Sequence, residues 1–126
     1  MWKTYLLVGL GGFLGSTSRF AAAQFMQRFF QTTFPIGTMS VNILGSLIIG
    51  VLFGISEYFN WLSPNARMFL AVGFCGGFTT FSSFAYENIV LLRDAQYVSF
   101  FLYLVLSIFL GLLAAWLGFV LIKNIS

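Results

Sequence analysis

The chain has 126 residues, 60% hydrophobic and 7% charged, with a net charge of +3. That balance marks an integral membrane protein. With no histidine, one cysteine and three carboxylates it excludes a Ser/His/Asp triad, an internal disulfide and a His/Cys metal centre, and six scattered cations make a poor nucleic-acid surface.

About 20 apolar residues cross a bilayer core, and four segments reach that length. The first runs from about Thr4 to Gln27. Lys3 before it and Ala21-Ala22-Ala23 near its end imitate a secretory leader. Glycines interrupt the stretch, however, and Arg19 precedes the alanines, so a transmembrane helix is the better reading. An ionisable residue inside a span is a functional candidate by default. Arg19 follows Ser16-Thr17-Ser18, a patch suited to a hydrated vestibule, and a cation there would attract anions. The ordinary alternative is that Arg19 snorkels to the interface.

The second span runs from about Gly37 to Tyr58, after Phe34-Pro35. Thr38, Asn42 and Ser46 recur on one helix face. Asn42 either bonds a neighbouring helix or donates into a pore, and the stripe does not choose between them.

The third span runs from about Ala66 to Leu92, with Ser63 placed to cap it and Pro64 in its first turn. It contains GFCGGFTTFSSF, Gly73 to Phe84. Paired glycines weaken a helix and paired threonines are stiff, so a helix break is predicted here. Broken backbone survives in a bilayer only where protein buries it or where it lines a wet cavity. The run is therefore expected to build a site. Unwound carbonyls from Gly76 to Thr79 would suit a cation. Phe78, Phe81 and Phe84 recur every third residue, which is unremarkable in a chain with 17 phenylalanines. Ser82, Ser83 and Glu87 nevertheless give the rings a polar setting, and an aromatic edge is electropositive enough to face an anion.

The fourth span runs from about Val98 to Ile122. Ser99, Tyr103, Ser107, Gly111 and Ala115 form one stripe, suited equally to a hydrogen-bonded path and to a packing seam.

Short connections predict antiparallel neighbours. Four spans place both termini on one side, with Lys3, Arg67 and Lys123; the other side has Arg28 and Arg93. That bias is close to nil. Either other features fix one orientation, or copies insert both ways and pair antiparallel. Four helices at 8–10 Å separations, about the usual value, leave little space for a path, so transport implies an oligomer. Gly11 with Gly15, Gly50 with Gly54 and Gly73 with Gly77 offer close-packing faces, within one chain or between copies.

Three ordered motifs, GGFLGSTSRF at Gly11 to Phe20, GTMSVNILGS at Gly37 to Ser46 and the Gly73 to Phe84 run, resemble the Fluc fluoride channel family, also called CrcB. The resemblance covers essentially the whole chain. It implies an all-α dual-topology antiparallel homodimer in the cytoplasmic (inner) membrane, with two pores that export fluoride passively and reject chloride. By position it implies that Phe81 and Phe84 line the path with ring edges. Asn42 would be the polar residue near them, and Arg19 the vestibule cation. Ser82, Ser83, Tyr103 and Ser107 would contribute to a polar track, and Glu87 would match a carboxylate near one pore end. The resemblance further implies that the carbonyls of Gly76 and Thr79 would hold a structural sodium between subunits. The chain departs from the family in the fourth span, where Gly111 and Ala115 replace a more hydroxylated track.

Two rival readings remain. A small multidrug-type transporter needs a membrane carboxylate for coupled exchange; the first span has none, and Glu87 is the one substitute. A non-conducting assembly subunit leaves the helix break unexplained. An enzyme is the least supported class.

Overall fold

In a computed structural model every residue, Met1–Ser126, is described. Four helical spans are each long and apolar enough to cross a membrane. They are α1 (Trp2–Phe30), α2 (Ile36–Tyr58), a divided third span (Pro64–Arg93) and a last helix (Tyr97–Ile125). The third span consists of α3 and α4. Helix α3 starts at Pro64–Arg67, runs through a π-helical stretch at Met68–Cys75 and ends at Gly76–Phe78. Helix α4 is Phe81–Arg93. The last span is α5.

Local chemistry sets the ends. Ser63 Oγ accepts the Ala66 amide at 3.1 Å, with Pro64 in the first turn. This satisfies one of the amides that a helix start leaves without a partner. Between α1 and α2, Gln27 donates to the carbonyls of Thr32 (2.6 Å) and Phe34 (2.9 Å) and accepts the Gly37 amide (3.1 Å). One side chain thus closes the turn and serves the start of α2. Each connection reverses through one left-handed residue: Gln31, Asn60 and Ala95, with φ of 46°, 55° and 55°.

Consecutive spans are antiparallel, but the tightest seams join alternate spans, which run parallel. On the first seam a methyl on Gly11 would strike the Phe69 carbonyl, and one on Gly15 the Phe74 carbonyl. Opposite them, a methyl on Gly77 would lie 2.6 Å from the Gly12 carbonyl. On the second seam, between α2 and α5, Gly50 abuts the Ala115 carbonyl, Gly54 abuts Ile122 and Gly118 abuts the Leu47 carbonyl. All three glycine pairs therefore pack within one chain. Ala115 belongs to the α2–α5 seam, and a methyl on Gly111 would lie 3.6 Å from Ser46 Oγ, so that half of the fourth-span stripe is packing surface. With no hydrophobic drive between helices in lipid, such close backbone approach supplies much of the association.

The small core of Met39, Phe84, Leu91 and Tyr103 lies where α2, α4 and α5 meet. It places the lower half of the divided span against α5, while α3 is held by α1.

Candidate functional site: the divided third span

The helix break is real, but its position corrects the sequence reading. Gly73, Gly76 and Gly77 are all helical, and the chain leaves the helix only at Thr79 (φ −91°, ψ 158°) and Thr80 (φ −151°, ψ 120°). Gly73 and Gly77 are present for contact with α1, whereas Gly76 faces open space. The expected unwinding from Gly76 is thus confined to two threonines.

What stops the helix comes from elsewhere in the chain. Asn42, on α2, accepts the Thr80 amide on Oδ1 at 2.8 Å and donates from Nδ2 to the Thr80 carbonyl at 3.0 Å. Its side-chain amide pairs with Thr80 as a neighbouring strand would. The Thr80 amide is the one that would bond the Gly76 carbonyl in an unbroken helix. Asn42 therefore diverts it, and the Gly76 oxygen is left outside the ladder. The next carbonyl, Gly77, accepts from Arg19 Nε at 3.2 Å. Thr80 then starts α4, its Oγ1 accepting the Ser83 amide at 3.1 Å. Ser82 Oγ lies 3.4 Å from the same hydroxyl.

Beside the break runs a groove of about 420 Å³. Asn42, Ser46, Cys75, Gly76, Thr79 and Phe81 are among its walls. Phe81 stands at its edge and is 80% exposed. From there the rings lead inward. Phe81 and Phe84 have centroids 5.7 Å apart, and Phe84 and Tyr103 are 4.9 Å apart. Phe84 and Tyr103 are both buried, Tyr103 completely.

Glu87 closes this inner end. Its Oε2 accepts from Thr38 Oγ1 and its Oε1 from Tyr103 Oη, each at 2.8 Å. One carboxylate thus ties α2, α4 and α5 together. One turn beyond Tyr103, the Ser107 hydroxyl is buried and finds no partner in the chain. Buried polar atoms are nearly always hydrogen-bonded, so an orphan of this kind calls for a reason.

Comparison with known proteins agrees with this architecture. Residues 6–119 match the family described as CrcB-like protein, Camphor Resistance (CrcB). The chain belongs to the CrcB family. Proteins named fluoride-specific ion channel FluC are similar over nearly their whole length. That of Flavobacterium psychrophilum is 46% identical over 98% of this chain and 99% of its own. That of Campylobacter jejuni strain 81116 is 45% identical over 98% and 100%. That of Parabacteroides distasonis is 46% identical over 99% and 96%.

In this CrcB chain the candidate residues fall into two groups. Asn42, Gly76, Thr79 and Phe81 line the groove, and Arg19 reaches the same break from α1. Phe84, Tyr103 and Glu87 gather inside, with Ser107 a turn along α5. Ser82 and Ser83 sit in the first turn of α4 between the groups, Ser82 exposed and Ser83 half-buried. Three contacts escaped the sequence reading. They are the pairing of Thr80 with Asn42 and its cap on α4, the bond from Arg19 to the Gly77 carbonyl, and the bond from the Thr38 hydroxyl to Glu87. Thr80 carried a usable signal, a threonine just ahead of a helix start. The Thr38 contact joins α2 to α4 and leaves no mark in spacing.

Proposed function

We propose that this chain is a fluoride-selective passive channel of the cytoplasmic membrane, working as an antiparallel dual-topology homodimer with two pores and a structural sodium between copies. The observation that carries the reading is the line from exposed Phe81 through buried Phe84 and Tyr103 toward the orphan Ser107 hydroxyl. It offers aromatic rings in series leading to a hydroxyl, Ser107, whose proton no group in the chain takes, without a fixed cation inside. Partners of that strength strip a small hydrated anion and still let it leave. The full-length relatives named as fluoride-specific channels support fluoride as that anion.

The homodimer is supported by what one chain leaves open. Phe81, a ring of the proposed path, is 80% exposed, and the groove beneath it is open on the surface of the single chain. A second copy would cover both.

Sodium fits the groove's chemistry. The Gly76 carbonyl has lost its helical donor, the Thr79 carbonyl lies in extended backbone, and nothing stands within 4 Å of a methyl placed on Gly76. Neutral oxygens without a carboxylate among the groove's walls suit a monovalent hard cation. Gly76 and Thr79 from each copy would hold it, and its charge would fix the two breaks against each other.

Liposomes holding the purified protein are expected to release fluoride rapidly and chloride negligibly, with no proton gradient. Equal release of both anions, or of neither, defeats the assignment. Phe81→Ile is expected to slow fluoride by about tenfold, the scale of one lost aromatic interaction, with the dimer intact. Phe84→Ile should slow it as well and also lower stability, because Phe84 is part of the core. Unchanged flux in both variants removes the rings from the mechanism. Reporter tags on the C-terminus are expected on both membrane faces in one cell population. Labelling on a single face rejects dual insertion.

A further inference from the structure

Arg19 does more than bring positive charge to the break. Its Nε holds the Gly77 carbonyl at 3.2 Å across 58 residues of sequence, and no other nitrogen of its guanidinium is hydrogen-bonded within the chain. Helix α3 ends one residue later, at Phe78. The last carbonyls of a helix have no amide partner and carry the negative end of its dipole. In a bilayer each must be satisfied by protein or by water in a cavity. Around this end the carbonyls are shared out. Thr80 takes its own carbonyl and amide to Asn42, Gly77 goes to Arg19, and Gly76 and Thr79 are left among the groove's walls.

We propose that Arg19 is the positioning residue of the break, capping the C-terminus of α3 through Nε so that the neighbouring Gly76 and Thr79 carbonyls are turned to the groove. The backbone seam makes this possible. Gly77 lies so close to Gly12 that a methyl on it would sit 2.6 Å from the Gly12 carbonyl, and Arg19 stands about two turns further along that face of α1. The seam sets the height of α1 against α3, and the height brings Nε to Gly77. The same side chain keeps its terminal nitrogens free for an anion arriving at the break. The cap and the anion contact therefore use different atoms of one group, and substitution can separate them. This inference rests on the channel reading only for the anion half; the cap is a property of the folded chain.

Lysine tests the cap. It keeps the charge, but a methylene stands where arginine has Nε, and its donor lies one atom further out. The measurement is backbone hydrogen exchange of the full-length protein in lipid nanodiscs, followed by fluoride efflux from liposomes. Arg19→Lys is expected to speed amide exchange across Thr79 to Ser83 by about tenfold, the effect of losing one charge-assisted hydrogen bond. Exchange in α2 and α5 should be unchanged. Fluoride efflux should fall but persist. Arg19→Met, which loses the charge and puts a methyl where arginine has Nε, should show the same rise in exchange and a deeper loss of efflux.

Exchange at Thr79 to Ser83 that matches the unsubstituted protein in both variants overturns the cap and leaves Arg19 as a charge alone. Faster exchange in a protein that passes no fluoride in any form upholds the cap and rejects the channel reading. If Arg19→Lys lowers protection throughout the molecule, Arg19→Met alone decides the matter, by whether its exchange rises locally or everywhere. A general rise in both overturns the local role.

Discussion

Asn42→Asp is expected to cut fluoride efflux by about 100-fold or more. The substitution changes one atom from a donor to an acceptor. Aspartate can still receive the Thr80 amide on one oxygen, as Asn42 does at 2.8 Å. Its other oxygen then meets the Thr80 carbonyl, where Nδ2 now donates at 3.0 Å. Two acceptors face each other, and the clamp that holds the break open is half lost. Leaving a buried polar group unpaired costs about 1–3 kcal/mol. The new negative charge adds a second penalty, because Asn42 shares the groove's walls with Phe81, the first ring of the proposed anion path. At about 4 Å and an effective dielectric near 20, a like charge costs about 4 kcal/mol. Asn42→Ala separates the effects. It removes both bonds without adding charge, and it should slow efflux by about tenfold while loosening the Thr79 to Ser83 segment. Efflux from Asn42→Asp equal to that from Asn42→Ala excludes the electrostatic part. Normal efflux from both excludes Asn42 from the site.

The break also marks where sequence reasoning stopped. The composition and the four apolar segments were enough for an all-α membrane fold, and the Gly73 to Phe84 run was enough to place an irregularity in the third span. The cause was misread. Glycine weakens a helix in water partly because it exposes backbone to solvent. Inside the α1–α3 seam no water competes, and Gly73 and Gly77 serve by letting two backbones touch. The helix stops instead because Asn42, 38 residues away, takes the Thr80 amide. A tertiary bond of that kind has no periodicity to read. Glu87 teaches the same lesson. In the sequence it is a lone carboxylate a turn beyond Phe84, whereas in the fold it receives hydroxyls from Thr38 and Tyr103 on two other helices. The Thr38, Asn42 and Ser46 stripe was legible, and it left open whether Asn42 bonds another helix or faces a path. Asn42 bonds the third span across the break and also lines the groove beside it.

Gly15→Ala is expected to disable the protein with a single added methyl. That methyl would overlap the Phe74 carbonyl and lie 2.9 Å from the Phe78 amide nitrogen. Both obstacles are backbone atoms in α3, so no side chain can swing aside and the helices must separate. Overpacking of this kind costs about 1–3 kcal/mol. The functional loss should exceed the loss of stability. Arg19 lies one turn beyond Gly15 on the same helix, and its 3.2 Å bond to Gly77 has little slack. Moving α1 away by even part of an ångström releases the end of α3 and with it the arrangement of carbonyls at the break. Two nearby glycines provide the controls. A methyl on Gly9 meets nothing within 4 Å, and one on Gly12 is in ordinary contact with the Gly73 carbonyl at 3.8 Å. Gly9→Ala and Gly12→Ala should therefore be neutral or slightly stabilising, since alanine favours a helix by about 1 kcal/mol over glycine. Thermal unfolding in detergent and fluoride efflux, measured on all three variants, test the seam directly. A Gly15→Ala protein as stable and as active as Gly9→Ala would mean that the backbone contact between α1 and α3 does not hold the break in place.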